Sequence, residues 1–361
     1  MKKIFICTGD ISGDLHAANL VKTIKQQDRN ICIISVGGNK LEQVSDIFLF
    51  NMVELDLHGF WEPFKKFLKV KEIMHNIIFP FIKSQKPDLF LPIDFYGFNI
   101  RIAEFVKSLN IPVVYFISPQ IWASRSGRIY KIKKFVDHML VIFPFEKQIY
   151  EKENIKVDFV GHPFIDLIPE NTFKKTINKN PVIGLFPGSR KQVIRWNLPI
   201  MEKASFLIQK KIPNAKFYIV SLNNLLNNHN TNIEILYDMD YYQKTMFDIA
   251  ITTSGTVTLE NALLGIPMIV MYHLPWWMFL LIKSMVKVNY ISIINLITDK
   301  HFIPEFIQRQ ANPENIANNT IQLLENKNKL EEIKQEFFKL RKLFGPPGAY
   351  NRASRIIFNY L

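Results

Sequence analysis

The chain reads as α/β, with two Rossmann-like doubly wound domains and a final helix that returns to the first. Three observations predict this. Short apolar runs alternate with helix-period segments through the first half. The alternation then stops at a polar, proline-punctuated stretch, GHPFIDLIPENTFKKTINKNP over 161–181, and restarts at Val182. Uninterrupted apolar strands interleaved with helices imply parallel sheets covered on both faces.

In the first half, KIFICT (3–8) predicts a strand and 14–26 a helix. ICIISV (31–36) predicts a strand, 61–83 a helical stretch and DLFLP (88–92) a strand. A helix is expected over 98–109, a strand at PVVYFI (112–117), a helix over 128–136 and a strand over 139–142. The 161–181 stretch reads as the interdomain linker. In the second half, strands are expected over 182–186, 216–221 and 233–237, with helices over 198–210 and 241–247. A strand over 249–251 and a helix after it precede a strand over 267–272. The 313–361 region is helical apart from Gly345-Pro346-Pro347-Gly348. The expected domains are 1–165, joined by 345–361, and 182–344. Two such domains with a cleft between them match the GT-B glycosyltransferase architecture, with ligands beyond the carboxyl ends of the strands. That layout alone does not imply an enzyme.

The 361 residues suit two domains, and a composition 48% hydrophobic with 30 Phe fills two cores. With 21% charged residues, long disordered tails are not expected. A net charge of +13 calls for an anionic partner. The lysines are dispersed and no nucleic-acid module is recognisable, so nucleic acid is not the expected partner and a membrane surface is. Cys7 and Cys32 fall in strands and read as small core residues with free thiols. The N-terminal apolar run is too short for a signal peptide, and 266–282 is broken by Pro267, His273 and Pro275. A protein that touches a membrane without crossing it is expected.

The stretch FDIAITTSGTVTLENALLGIP (247–267) runs from a strand into a helix through small residues. Backbone N–H groups at such a helix N-terminus, with the positive dipole end, suit a diphosphate. Glu260, one turn in, is placed to accept hydrogen bonds from a ribose. The same pattern also fits an ordinary βα unit with a Thr or Ser cap. Gly188-Ser189-Arg190 follows the first strand of the second half, where a guanidinium can neutralise a diphosphate or lie exposed in a turn. In the first half, Gly9-Asp10-Ile11-Ser12-Gly13-Asp14 places two carboxylates after a strand. They can engage a sugar hydroxyl or act as base, or Asp14 can serve as cap or first-turn acid. Asp94 ends another strand in an aromatic setting that would raise its pKa, fitting a general base or a cap of the next helix. Ser118-Pro119-Gln120-Ile121-Trp122 leads to Arg125 and Arg128, which can grip a phosphate. Asp238-Met239-Asp240 precedes a helix, so Asp240 reads as its cap; with no metal-ligand spacing elsewhere, no metal or other cofactor is expected. Phe60, Trp61 and Phe64 among lysines, and Trp276 and Trp277 in a denser aromatic run, suit either a bilayer interface or core helices with snorkelling lysines.

Several blocks in one order resemble the lipid-A-disaccharide synthase family: GDISGDLHAANL, KPDLFLPIDFYGFNIRIA, YFISPQIWASRSGRIYKIKK, DHMLVIFPFE, FVGHPF, LFPGSRKQVI, TTSGTVTLENALLGIPMIVMY, VKVNYISIINLI and PEFIQ. The resemblance runs from residue 3 to about 310. It implies an inverting glycosyltransferase that moves 2,3-diacylglucosamine from its UDP conjugate to 2,3-diacylglucosamine 1-phosphate, giving a β(1→6) disaccharide and UDP. It further implies that Gly188, Ser189, Arg190, Ser254, Gly255, Thr256, Glu260 and Asn295 hold UDP. Asp10 and Asp94 would lie near the reacting hydroxyl, with Ser12, Gly13, Asn99, Gln120 and Arg125 supporting the acceptor. A cytoplasmic protein on the anionic inner-membrane surface, and a homodimer, follow by the same analogy. Two departures stand out. The family usually has Glu at Asp10 and Pro-Asp where this chain has Tyr96-Gly97, which removes one acid and leaves Asp94 as the preferred base. The alternatives are a UDP-GlcNAc 2-epimerase-like or other GT-B enzyme with a soluble acceptor, and a non-catalytic UDP-sugar sensor.

Overall fold

The computed structural model describes residues 1–54, 63–122, 127–174, 176, 178–222, 225–226, 229–285 and 290–361. For 63–67, 281–282 and 284–285 this covers the backbone only. It forms two compact units, Met1–Asp166 with Phe344–Leu361, and Leu167–Leu343.

The first unit is built on β1 (Lys3–Cys7), β2 (Cys32–Gly37), β3 (Ile47–Asn51), β4 (Leu89–Pro92), β5 (Val114–Phe116), β6 (His138–Val141) and β7 (Val157–Phe159). All pair in parallel, in the orders β3-β2-β1-β4 and β5-β6-β7. Parallel bridges Phe90–Val113 and Ile93–Phe116 join the two sets. Strands β2, β4, β5 and β6 are buried at every position, which is why they read as unbroken apolar runs. Strand β3 is only half-buried along its length, lies at the sheet edge and escaped the sequence reading.

The second unit holds β8 (Val182–Phe186), β9 (Lys216–Ser221), β10 (Glu234–Tyr237), β11 (Ile249–Thr253), β12 (Met268–Tyr272) and β13 (Glu305–Ile307). They form one parallel sheet in the order β10-β9-β8-β11-β12-β13, the Rossmann order, whose direction of winding reverses between β8 and β11.

Several expectations are corrected. The first helix is Ile11–Gln27, because Asp10 rather than Asp14 is its cap; Asp10 Oδ1 accepts the Gly13 N–H at 2.6 Å. Asp14 is the first-turn acid, the other expected alternative; it is buried, and its carboxylate accepts N–H groups of Gly38, Lys40 and Leu41 at the start of the short helix Asn39–Glu42. The helix expected from 198 spans Lys191–Lys211, with Pro199 on its exposed face. The helix after Asp240 is only Tyr241–Lys244, and the C-terminal region holds three helices, Pro313–Glu325, Lys327–Leu343 and Ala349–Phe358.

The 161–181 stretch is no free linker. Buried Asp248 pairs with Lys174 at 2.8 Å and accepts N–H donors from Asn178 and Val182, so its charge is fully answered. At the other end, His162 is buried and its N–H bonds the Phe344 carbonyl. Helix Ala349–Phe358 packs on helix Ile11–Gln27, where Tyr350 OH meets His16 Nδ1 at 2.8 Å. The Asp166 carboxylate receives the Gly348 and Tyr350 N–H groups, a favourable place for negative charge. Burial lowers the pKa of His16 to about 4, leaving its imidazole neutral. Cys7 and Cys32 are buried and free, and among the described residues no helix is long and apolar enough to cross a membrane.

Candidate active site

In the first unit the carboxyl ends of β1, β4 and β5 converge on Asp94. Its N–H donates to the Phe116 carbonyl at 3.1 Å, and its own carbonyl accepts the Asn99 amide at 2.8 Å and the Tyr115 hydroxyl. Asp94 and Phe95 are consecutive left-handed residues, with φ of 46° and 50°. Such a conformation costs on the order of 1–3 kcal/mol for a side chain like Phe95 and persists only where the surroundings impose it. Here Asn99 imposes it, donating also to the carbonyls of Cys7 and Ile93. The Phe95 ring lies against Gly9, where a Cβ would stand 2.3 Å from ring carbons. That contact explains the first glycine of the 9–14 loop.

The Asp94 carboxyl is pushed up to about 7. Burial is the main cause and the nearby Asp10 carboxylate the second, opposed by the Phe95 N–H and the Arg128 guanidinium. Arg128 lies 4.7 Å over the Tyr96 ring, and Tyr96 OH donates to its carbonyl. Asp10, Gly13, Asp94 and Asn99 are thus brought together, with Ser12 half-buried in the first helical turn and Gln120 exposed after β5. Arg125, Phe60 and Trp61 lie outside the described residues, and of Phe64 only the backbone, in helix Pro63–Ile73, is described.

In the second unit the sites at the ends of β8 and β11 are neighbours, since these strands pair. After β8, Gly188 takes a left-handed turn (φ 113°), and Ser189 and Arg190 are exposed ahead of helix Lys191–Lys211, whose N-terminus no side chain caps. Burial raises the pKa of Tyr272, at the end of β12, and the charge of Arg190 opposes that rise. After β11, Gly255 and Thr256 are exposed, no side chain caps helix Thr256–Leu263, and a Cβ on Gly255 would meet nothing within 4 Å. An anion can therefore approach this backbone closely.

Three of the groups that the resemblance assigns to UDP have protein partners in the structure. Ser254 Oγ donates to the Ile291 carbonyl at 2.5 Å, so its hydroxyl proton is already engaged. Glu260 is paired with Lys244 at 2.6 Å, a partner the sequence reading missed. Asn295 is fully buried, its amide bonded to Ile303 and Glu305 at both ends. Glu305 also accepts the Ile291 and Ser292 N–H groups. Asp240 caps its helix in a capping box with Gln243.

Trp276 and Trp277 are about half exposed on helix Trp276–Met285, as is Leu280, while Met278 is buried. Two buried amides fix the approach to this helix: Asn197 bonds both backbone groups of His273, and Gln308 both of Leu274. Arg309 lies 5.9 Å over the Trp276 ring.

Comparison with known proteins shows the family. A family model described as lipid-A-disaccharide synthetase matches residues 4–357. The lipid-A-disaccharide synthase of Coxiella burnetii is 34% identical over 372 residues, covering 100% of this chain and 99% of that one. That of Wigglesworthia glossinidia brevipalpis is 36% identical over 373 residues, covering 98% and 97%. Among solved structures, UDP-GlcNAc 2-epimerase from Methanocaldococcus jannaschii in complex with UDP-GlcNAc and UDP aligns over 99% of this chain and 100% of that one. Its TM-score is 0.62 at 14% identity, a likeness of fold alone.

Proposed function

The chain belongs to the lipid-A-disaccharide synthase family of glycosyltransferases, and we propose that it transfers 2,3-diacylglucosamine from its UDP conjugate to 2,3-diacylglucosamine 1-phosphate. Within this reading the first unit takes the acceptor and the second the donor nucleotide. The observation that carries it is Asp94, a desolvated carboxyl held near neutrality at the carboxyl end of β4. Such a group takes a proton readily at physiological pH.

The step is a single in-line displacement. The 6-hydroxyl oxygen of the acceptor bonds the anomeric carbon as the bond to the UDP oxygen breaks, inverting that centre. Asp94 receives the hydroxyl proton, and the electron pair leaves with UDP. Arg190 and the N–H groups at the start of helix Thr256–Leu263 stabilise the departing diphosphate, and Gly188 and Ser189 let the backbone approach it. Glu260 accepts from the ribose, releasing Lys244 toward the phosphates. Asn99 fixes the Asp94 backbone and Asp10 keeps its pKa high, while Ser12, Gly13 and Gln120 line the acceptor side. An epimerase reading has no support beyond shared fold, whereas the synthase relatives match the full length. Solved proteins of this fold do hold UDP and UDP-GlcNAc, which favours the nucleotide assignment.

Trp276, Trp277 and Leu280 provide an apolar surface for acyl chains or the bilayer. The net charge of +13 draws the protein to the anionic inner membrane as a peripheral, cytoplasmic enzyme. The reaction is tested by incubating the chain with both acylated monosaccharides. Disaccharide and UDP in equal amounts are expected; UDP without disaccharide, or neither, rejects the proposal.

A further inference from the structure

The loop that follows β5 is gripped by a buried acid outside the roles assigned above. Glu146 is 1% exposed and lies in the first turn of helix Pro144–Lys152. Its Oε1 accepts the Trp122 Nε1–H at 3.2 Å and its Oε2 the Phe143 backbone N–H at 3.2 Å. One turn further, Tyr150 OH bonds the Ser118 hydroxyl at 2.7 Å. The Trp122 ring also stands edge-on against Phe145, with centroids 5.2 Å apart. Side chains four apart on one helix face thus hold the 118–122 loop at both ends.

The loop needs holding. Ile117, a β-branched residue, sits at φ 65°, a conformation that costs free energy and survives only when its neighbours over-determine it. The strained segment abuts Asp94 directly. The Phe116 carbonyl accepts the Asp94 N–H, and Tyr115 OH bonds the Asp94 carbonyl. Displacing the loop therefore displaces the backbone that aims the Asp94 carboxylate. It also moves Gln120, which the same loop exposes.

We propose that Glu146 is a positioning residue of the transfer reaction: through Trp122 its carboxylate fixes the 118–122 loop, and through that loop the geometry of Asp94 and Gln120. This rests on the reading of Asp94 as base. Burial pushes the Glu146 carboxyl up to about 7, while hydrogen bonds from Trp122, from the Phe143 and Ile142 backbone and from Ser118 hold it down. Among the described residues the titratable group facing it is Tyr150, whose pKa burial raises, the Ser118 hydrogen bond lowers, and Glu146 and Tyr96 raise further. Removing the Trp122 donor would keep Glu146 protonated to higher pH.

The test uses the full chain with Glu146→Gln, Trp122→Phe and both together. Gln keeps the size but replaces one acceptor by an NH2 group, so it loses either the Trp122 or the Phe143 bond. A displacement on the order of 1 Å costs about 10²-fold in rate. Glu146→Gln is expected to lower kcat/KM for acceptor by about 10- to 100-fold, with UDP affinity by calorimetry unchanged. Trp122→Phe should move the acid limb of the pH–rate profile upward in the wild-type background and leave it in place beside Glu146→Gln. Wild-type kcat/KM in a folded Glu146→Gln protein would overturn the inference, as would a fall in UDP affinity matching the fall in rate. Should Glu146→Gln not fold, an unmoved acid limb in Trp122→Phe overturns it alone. Asp94→Asn run in parallel separates the two readings: full turnover there rejects the base, and only the Glu146 series rejects the positioning role.

Discussion

The loops that end β4 and β5 differ from those that end β8 and β11, and under the proposed reading the contrast suits each unit to its own part of the chemistry. In the first unit Asp94, Phe95 and Ile117 occupy left-handed backbone without being glycine, and the Asp94 carboxyl is desolvated and, among the described residues, in no ion pair. In the second unit Gly188 takes the left-handed position after β8, Arg190 stands in solvent, and Glu260 is neutralised by Lys244. Strain and burial raise an acid's pKa and aim it, which suits proton transfer. Open N–H groups and an exposed guanidinium suit an anion that displaces water. Both loop sets lie at carboxyl ends of parallel strands; in the proposed function the local residue choice suits one to a base and the other to an anion receptor.

The sharpest way to break this comparison is Asp94→Asn. Removing a positioned base costs about 10²- to 10⁴-fold in turnover, while UDP affinity in the second unit should be unchanged by calorimetry. The pH sign follows from the upward shift. The base works ionised, so kcat/KM should fall as pH drops below about 7. For stability, a carboxyl raised by the fold favours its neutral form, so its contribution is full below the ordinary carboxylate range and lost as pH rises through about 7. Asp94→Asn should therefore melt no lower than wild type at pH 8 despite its lost activity. A variant both inactive and markedly less stable at pH 8 would mean that Asp94 is structural.

Arg190→Ala tests the opposite side. Losing a guanidinium from a diphosphate should weaken UDP binding by about 10- to 100-fold, as for a charge-assisted hydrogen bond worth about 1.5–3 kcal/mol. The acceptor KM should hold. An acceptor KM that rises while UDP affinity stays constant would exchange the roles of the two units.

A smaller effect is expected from Trp276→Ala with Trp277→Ala. Partitioning onto anionic vesicles should fall several-fold, since each aromatic ring contributes on the order of 1 kcal/mol at a wet interface. Turnover with detergent-dispersed substrates should change less. Equal partitioning of variant and wild type would leave the exposed tryptophans without a membrane role.

Legibility in the sequence followed burial. Strands β4, β5 and β6, buried at every position, could be read as unbroken apolar runs, and so could β11. Edge strand β3 and short β7 could not, being half-buried and mixed in composition. Asp10, Asp94, Arg190 and Gly255 stand out in the sequence because each lies within a few residues of the end of a strand. Lys244 and Glu146 do not, because their importance lies in partners 16 and 24 positions away in the sequence, Glu260 and Trp122. Asn295 shows the converse: its place in a matching motif is visible in the sequence, but the bonds of its buried amide to Ile303 and Glu305 are not.

The finest test lies inside the first unit, in Asp10→Asn. Asparagine caps a helix about as well as aspartate, so the start of helix Ile11–Gln27 should hold while the charge disappears. Burial, the larger cause of the Asp94 shift, remains; the Asp10 carboxylate, the second cause, is removed. The acid limb of the rate profile should then move to lower pH, by less than the full displacement from the ordinary carboxylate value. The same variant in an Asp94→Asn background should move nothing, because the group that senses the charge is gone. A limb that stays in place in the single variant would mean that the two carboxylates do not share a field, and the first unit would lose its claim to a tuned base. A limb that drops all the way to the ordinary carboxylate range would make like-charge repulsion, rather than desolvation, the force that sets Asp94.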